Sequence, residues 1–381
     1  MKYLALISFF VLLVAGSPIS GQSNLGKPDQ SGPFPSTKVD GKLPSAAWRG
    51  YEPGRFPSAL ADGKATTSLQ SPLTFITGSA QGTTYNAKYY DEKGRNFKTE
   101  IDSILADFDK SLSLYRNDSE LVKFNRNSSL TFQSPYFYPV LKKSQEVYQA
   151  TNGAFDPTIM PLAEAYGFGA KRISDPQNVN VDSLLNLVGF QHIQFDSLSV
   201  QKLKNNVRLD FNGIAQGYSV DVIGAFLQKQ HIDRFMVEIG GEVLSRGMKE
   251  EGKSWIASIE DPLHRGAMFA TARLENRAMT TAGNYHNHFI RNGQVFNHLI
   301  NPKTGSMEQT SLLSVTVFAK DAITADGYDT AFFVMGLEAT KAFIKKRNDL
   351  DVYLIYTNEK GGTETFASDG IRDFIRETNR Q

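Results

Sequence analysis

No cysteine occurs anywhere in the 381 residues. That absence constrains the chain more than any single motif does, because its first residues read as an export signal. Met1-Lys2 gives a positive start, Leu4 to Ala15 is almost wholly apolar, and small residues follow at Gly16, Ser17 and Gly21. This is the order of a secretory signal, and the apolar run is shorter than the roughly 20 residues of a comfortable membrane span. An uncleaved anchor is the alternative. An exported chain without thiols builds no disulfide framework. Zinc–thiolate sites, cysteine nucleophiles and lipid attachment through an N-terminal cysteine are excluded with it. Stability has to come from a packed core, for which an apolar fraction of 40% is sufficient, and from any bound ligand.

Lys and Arg (41) nearly balance Asp and Glu (40), and no long basic block is present, so a nucleic-acid partner is not expected. Residues 1–21 read as the signal peptide. Residues 22–72 are rich in Pro, Gly and Ser and read as a linker. Ordered structure is expected over 73–381. Helices are expected over 97–114, 138–150, 183–188, 217–230, 322–336 and 338–346. Strands are expected over 84–90, 207–211, 235–239, 255–259, 268–274, 288–291, 313–319 and 352–356. Without strict βαβ alternation, the fold class is α+β, with helices packed on mixed sheets rather than a doubly wound sheet.

The stretch Asp326-Gly327-Tyr328-Asp329-Thr330 carries the clearest chemistry. Positions i, i+3 and i+4 share a helix face, so Asp326, Asp329 and Thr330 converge. Two carboxylates and a hydroxyl make a hard-oxygen set that suits Mg²⁺ better than zinc. The competing reading is a solvated polar helix face. Upstream, Asp210-Phe211-Asn212-Gly213-Ile214-Ala215-Gln216-Gly217 is a glycine-bearing turn into a helix. It is either a phosphate cradle or an ordinary tight connection; its glycine spacing is not the dinucleotide fingerprint. Glu238-Ile239-Gly240-Gly241-Glu242 is a hairpin bend or a close approach to ligand. Gly153-Ala154-Phe155-Asp156-Pro157-Thr158 reads as a capping turn over a buried Phe155. Tyr115, at a helix end, could stack on an aromatic ligand or be partly buried. His298 precedes the turn Asn301-Pro302-Lys303-Thr304-Gly305 and is suited to proton transfer or to a structural role. No Ser-His-Asp order can be defended from spacing.

Taken in order, GTTY, SLYRNDSELVKFN, GAFDPTIMPL with YGFG, LDFNGIAQGYSVD, EIGGEV, TTAGNY, NHLINPKTG and ADGYDTAFFVMG resemble the FAD:protein FMN transferase (ApbE) family from about Gly82 to Tyr356. The resemblance implies an ApbE-like fold and a Mg²⁺-dependent enzyme with FAD as substrate. Such an enzyme moves the FMN half onto a Thr or Ser hydroxyl of a partner protein, a membrane-bound redox subunit, and releases AMP. It implies metal binding by Asp326, Asp329 and Thr330, and by Gly213 through its carbonyl. It implies flavin contacts at Gln81, Tyr115, Ala154, Phe155, Asp156, Asp210, Gln216 and Ile300, and catalysis by His298. It also implies work in the periplasm or at the outer face of the cytoplasmic membrane. The chain departs from the pattern at Gln216, where many members carry a charged residue, and in lacking the lipoprotein cysteine. An FAD pyrophosphatase giving FMN and AMP, and a non-catalytic exported FAD-binding protein, are the alternative functions. The aspartate pair argues against the second.

Overall fold

The computed structural model describes residues 71–168, 180–283, 299–307 and 310–378, together with the backbone of strands 288–291 and 294–297. Among these residues the main sheet has eight strands, and they lie side by side in chain order. They are Leu73–Ala80, Thr83–Tyr90, Phe235–Ile239, Glu242–Arg246, Ala278–Gly283, Leu312–Ala319, Asp351–Thr357 and Thr363–Ala367. Every neighbouring pair is antiparallel. The α+β expectation holds, with the sheet built as a meander whose long excursions leave and return between adjacent strands.

Side chains alternate across the pleat, and this sheet is covered on both faces. Tyr85, Ala87, Tyr89, Phe235, Val237, Ile239 and Leu244 pack toward helices, as do Val315, Val317, Val352 and Leu354. Val243, Met279, Phe318, Tyr353 and Ile355 pack on the other side against Trp255, Ile259, Phe269 and Leu274. These last residues come from a three-stranded sheet of Trp255–Glu260, Met268–Leu274 and Ile375–Glu377. The helix layer includes Lys98–Leu112, Phe137–Ala150, Ala215–Lys229 and Ala322–Met335.

Two tight turns shape one end of the sheet. Gln81-Gly82 joins the first two strands with φ of 54° and 76°, and Gly240-Gly241 joins the next two with φ of 62° and 114°. Positive φ at both central residues matches the twist of the flanking strands in a two-residue hairpin.

One expected strand is absent. Residues 207–211 join no ladder. Their backbone groups are met from elsewhere. The Leu209 N–H donates to Asn125 Oδ1 and the Leu209 carbonyl accepts from Asn125 Nδ2, both at 2.8 Å. The Asp210 N–H donates to the Pro157 carbonyl at 2.7 Å. A side-chain amide stands where a neighbouring strand would, which period-2 patterning cannot reveal.

Candidate active site

Helix Ala322–Met335 begins at Asp321, whose carboxylate accepts from the Thr324 N–H at 3.0 Å, and ends at Gly336 with φ 80°. It runs antiparallel to helix Ala215–Lys229 in a register that repeats every four residues. The Asp221 carboxylate accepts from the Ala322 and Ile323 N–H groups, each at 2.8 Å. One turn along, the Gly217 N–H donates to Asp326 Oδ2 at 2.7 Å. One turn further, a Cβ on Gly213 would come within 3.0 Å of Thr330 Oγ1. A Cβ on Gly217 would lie 2.4 Å from the Ala322 carbonyl oxygen and 2.7 Å from Asp326 Cβ. Glycine is therefore required at 217 for the helices to approach this closely.

The reading of Asp326 and Asp329 as a solvated face is overturned: they are 5% and 2% exposed. Burial pushes the Asp326 carboxyl up to about 7, tempered by the Gly217 N–H. Burial and then the neighbouring Asp326 charge hold Asp329 well above the usual carboxylate range. The Thr330 hydroxyl donates to Asp329 Oδ1 at 3.3 Å, and Thr280 Oγ1 faces Asp329 without reaching full hydrogen-bond geometry. Such a pair wants either protons or a cation. Two carboxylates and a hydroxyl suffice for Mg²⁺, which usually takes one or two carboxylates and keeps several waters. Among the described residues no three His, Asp or Glu side chains converge to ligate one ion, so a fuller protein cage is not offered. The donor chemistry fits a hard, partly hydrated divalent ion.

Other expected residues gather at the same end of the sheet. The Ser219 hydroxyl, on the glycine-turn helix, donates to Gln81 Oε1 at 3.2 Å, and Gln81 Nε2 is buried without a partner. Gln216 lies over the double-glycine turn, since a Cβ on Gly240 would overlap its amide at 1.9 Å. Phe155 is buried, with its ring edge 3.5 Å from a Cβ placed on Gly213. Ala154 is buried beside it in sequence. Tyr115 is 70% exposed rather than partly buried, with its hydroxyl toward Asn212 and Asp210. Burial pushes the Asp210 carboxyl up to about 6, and its Oδ1 accepts from the Asn212 N–H at 2.8 Å.

Asp156 matches the capping-turn reading. Its carboxylate accepts from the Thr158 N–H at 2.8 Å and hydroxyl at 2.6 Å, and burial pushes it up to about 6. Ile300 packs in a small apolar cluster with Leu162, Ala163 and Val188. The following turn is anchored where the Tyr166 hydroxyl donates to the Gly305 carbonyl at 2.7 Å. Lys303 Cε lies 3.7 Å from a Cβ built on Gly153, so the two loops adjoin. His298, Asn284 and Tyr285 lie outside the described residues.

Two acids escaped the sequence reading. Asp221 is buried where its carboxylate serves the start of the aspartate-bearing helix. Its signal was an acid four residues after Gly217, flanked by Val220, Val222 and Ile223 on that helix. Glu242 follows the Gly240-Gly241 turn on the helix-facing side of its strand. Burial, and then the Asp326 and Asp329 charges, push its carboxyl well up. Its alternation with inward-facing Leu244 was the signal, masked by the glycines before it.

This fold is that of the flavin transferases, and the chain is an enzyme of that class. It belongs to the ApbE family, whose profile matches residues 81–354. The chain is 34% identical over 311 residues to a protein of Vibrio cholerae serotype O1 named FAD:protein FMN transferase, covering 79% of this chain and 92% of the relative. The Haemophilus influenzae protein of the same name is 34% identical over 319 residues, with 80% and 92% covered. Among solved structures, the flavin transferase ApbE of Vibrio cholerae superposes with a TM-score of 0.72 at 32% identity, covering 80% of this chain and 99% of that one. The apo flavinyl transferase ApbE of Pseudomonas stutzeri gives 0.73 at 29%, with 81% and 98% covered.

Proposed function

We propose that this protein is exported and transfers the FMN moiety of FAD, with Mg²⁺, to a Thr or Ser hydroxyl of a partner protein, releasing AMP. The observation that carries this reading is the buried Asp326–Asp329 pair set against the glycine turn at one end of the sheet. The fold gives Asp326 one N–H donor, from Gly217, and Asp329 one hydroxyl, from Thr330, and both carboxylates suit a polyanionic diphosphate neutralised by a hard cation.

The reaction is a displacement at phosphorus, where positioning and charge neutralisation dominate. The acceptor oxygen bonds to the phosphorus on the FMN side. The bond from that phosphorus to the bridging oxygen breaks, and AMP leaves with that oxygen. Asp326, Asp329, Thr330 and the Gly213 carbonyl would hold the Mg²⁺, which supplies charge neutralisation of the diphosphate oxygens. The turn at 213–217 lies at a helix start, where anions are favoured; its Ile214 and Ala215 N–H groups donate to the Phe211 carbonyl and its Gly217 N–H to Asp326. Tyr115, exposed at the rim, offers a ring for stacking on a flavin or adenine. Gln81 and Gln216 bring amide groups to the two hairpin turns. The acceptor hydroxyl gives its proton to His298, a role resting on the family resemblance.

Residues 1–21 act as the export signal and 22–72 as a linker, so the domain works in the periplasm or at the outer face of the cytoplasmic membrane. The acceptor is there a membrane-bound redox subunit. Incubation with FAD, Mg²⁺ and a membrane fraction, read by in-gel flavin fluorescence, tests the proposal. A fluorescent acceptor band that disappears with chelator supports it. FMN and AMP released rapidly without any acceptor band would make the protein a pyrophosphatase. His298→Asn is expected to keep FAD affinity and to lose roughly 10²-fold or more in single-turnover transfer, the range of a general base. An unchanged rate removes His298 from the mechanism.

A further inference from the structure

Glu242 opens strand Glu242–Arg246 immediately after the Gly240-Gly241 turn. The neighbouring strand fixes which way it faces. Val243 pairs with Met279, and both pack toward the three-stranded sheet. Glu242 and Thr280 therefore face the helices, as Leu244 and Ala278 do. There the Glu242 Oε2 atom is buried and accepts no hydrogen bond. An ionised carboxylate can only accept. A bare buried acceptor is destabilising, and more so when charged. Asp326 and Asp329, the acids that share this space, are acceptors too when ionised.

Direct coordination by Glu242 beside both aspartates is not what the geometry offers, because no three acidic or histidine side chains converge on one point among the described residues. Mg²⁺, however, keeps several of its waters when protein carboxylates bind it. Those waters are donors, and they need acceptors placed one layer beyond the ligands. We propose that Glu242 is a positioning residue of this metal centre, whose carboxylate accepts hydrogen bonds from the water molecules of a Mg²⁺ ion held by Asp326, Asp329 and Thr330. The inference rests on the metal reading given above and adds a third acid to it. The glycines at 240 and 241 let the backbone turn directly before the acid, which brings it to the same sheet end as Gln81 and Gln216.

The test uses Mn²⁺ as a paramagnetic stand-in for Mg²⁺, titrated into the mature protein without FAD and followed by electron paramagnetic resonance. The wild type is expected to bind Mn²⁺. Glu242→Gln is expected to weaken that binding about 10- to 100-fold, the usual cost of losing an outer acceptor. Its melting temperature without metal is expected to stay level or rise, because a buried like charge is gone. Unchanged Mn²⁺ affinity in folded Glu242→Gln overturns the proposal. A wild type that binds no Mn²⁺ overturns the metal reading itself, which separates the two failures. If Glu242→Gln does not fold, Glu242→Asp carries the test, since it keeps the charge and shortens the reach. A weaker Mn²⁺ affinity supports the proposal, and an equal one sinks it.

Discussion

Two stretches of one helix pair treat buried acid in opposite ways. At the start of helix Ala322–Met335, Asp221 is buried and both its oxygens accept backbone N–H groups, from Ala322 and Ile323. One to two turns along, Asp326 accepts a single N–H from Gly217, and Glu242 Oε2 accepts nothing. Asp221 and Asp326 are similarly buried, on the same pair of helices. The difference lies in whether the fold itself supplies the donors. Asp221 completes a helix N-terminus, whose free N–H groups and dipole want an anion. On the reading proposed above, Asp326, Asp329 and Glu242 serve a bound cation. The first kind of acid belongs to the architecture and the second to the chemistry.

Substitution separates the two kinds. Asp326→Ala is expected to have the largest effect, a fall in FMN transfer of about 10²–10³-fold or more, corresponding to the several kcal/mol that a bound cation supplies to a phosphoryl transition state. Its melting temperature should change little, because removing one of two crowded carboxylates relieves repulsion. Full activity in the presence of chelator would dissolve the contrast. Asp221→Asn should behave in reverse. Its amide keeps one acceptor and turns an NH₂ toward a backbone donor, so stability is expected to fall by about 1–3 kcal/mol, measured by urea denaturation. Transfer per folded molecule should fall far less than for Asp326→Ala. Equal losses in both assays would mean that Asp221 acts on the site as much as on the fold.

The smallest expected effect is on pH dependence. Burial pushes Asp326 up to about 7, and burial with the neighbouring aspartate charges holds Asp329 and Glu242 well above the usual carboxylate range. A carboxyl whose folded pKa is raised stabilises the fold fully below its unfolded value near 4, and that stability is lost as pH rises toward the folded pKa. The metal-free protein should therefore melt at a lower temperature at pH 8 than at pH 5. Cation and proton compete for the same oxygens, so the rise in melting temperature on adding Mg²⁺ should grow by a few degrees over that interval. A Mg²⁺ shift independent of pH would place the ion elsewhere.

The sequence was most legible where one periodicity governed one element. The i, i+3, i+4 spacing identified Asp326, Asp329 and Thr330 as one face, and strands such as Phe235–Ile239 and Met268–Leu274 match their expected bounds. It was least legible where tertiary contacts replaced local ones. Residues 207–211 carry strand-like alternation, yet Asn125 serves as their partner. Strand Ala278–Gly283 went unrecognised because small and threonine residues in Ala-Met-Thr-Thr-Ala-Gly give little hydropathy contrast. Glu242 and Asp221 were passed over for a related reason. An inward-facing acid is visible only once the facing element is known, and both face helix Ala322–Met335 from distant points in the chain.

The chain-ordered sheet has a consequence for how the molecule comes into being. Its first two hairpins turn at neighbouring residues and can close within about microseconds. The seam between them, where Tyr85 pairs with Ile239, joins residues separated by the whole 91–234 excursion. Contacts so far apart in sequence are slow to form, because the intervening chain must be ordered before they reward it. Gln81, Gln216 and Gly240 meet across that seam, where the Gly240 N–H donates to the Thr84 carbonyl at 3.1 Å. The cradle is thus expected to be completed late, once the chain between the two hairpins is ordered. Any ligand that occupies it recognises only the finished domain, and its binding energy is added whole to the stability of the native state.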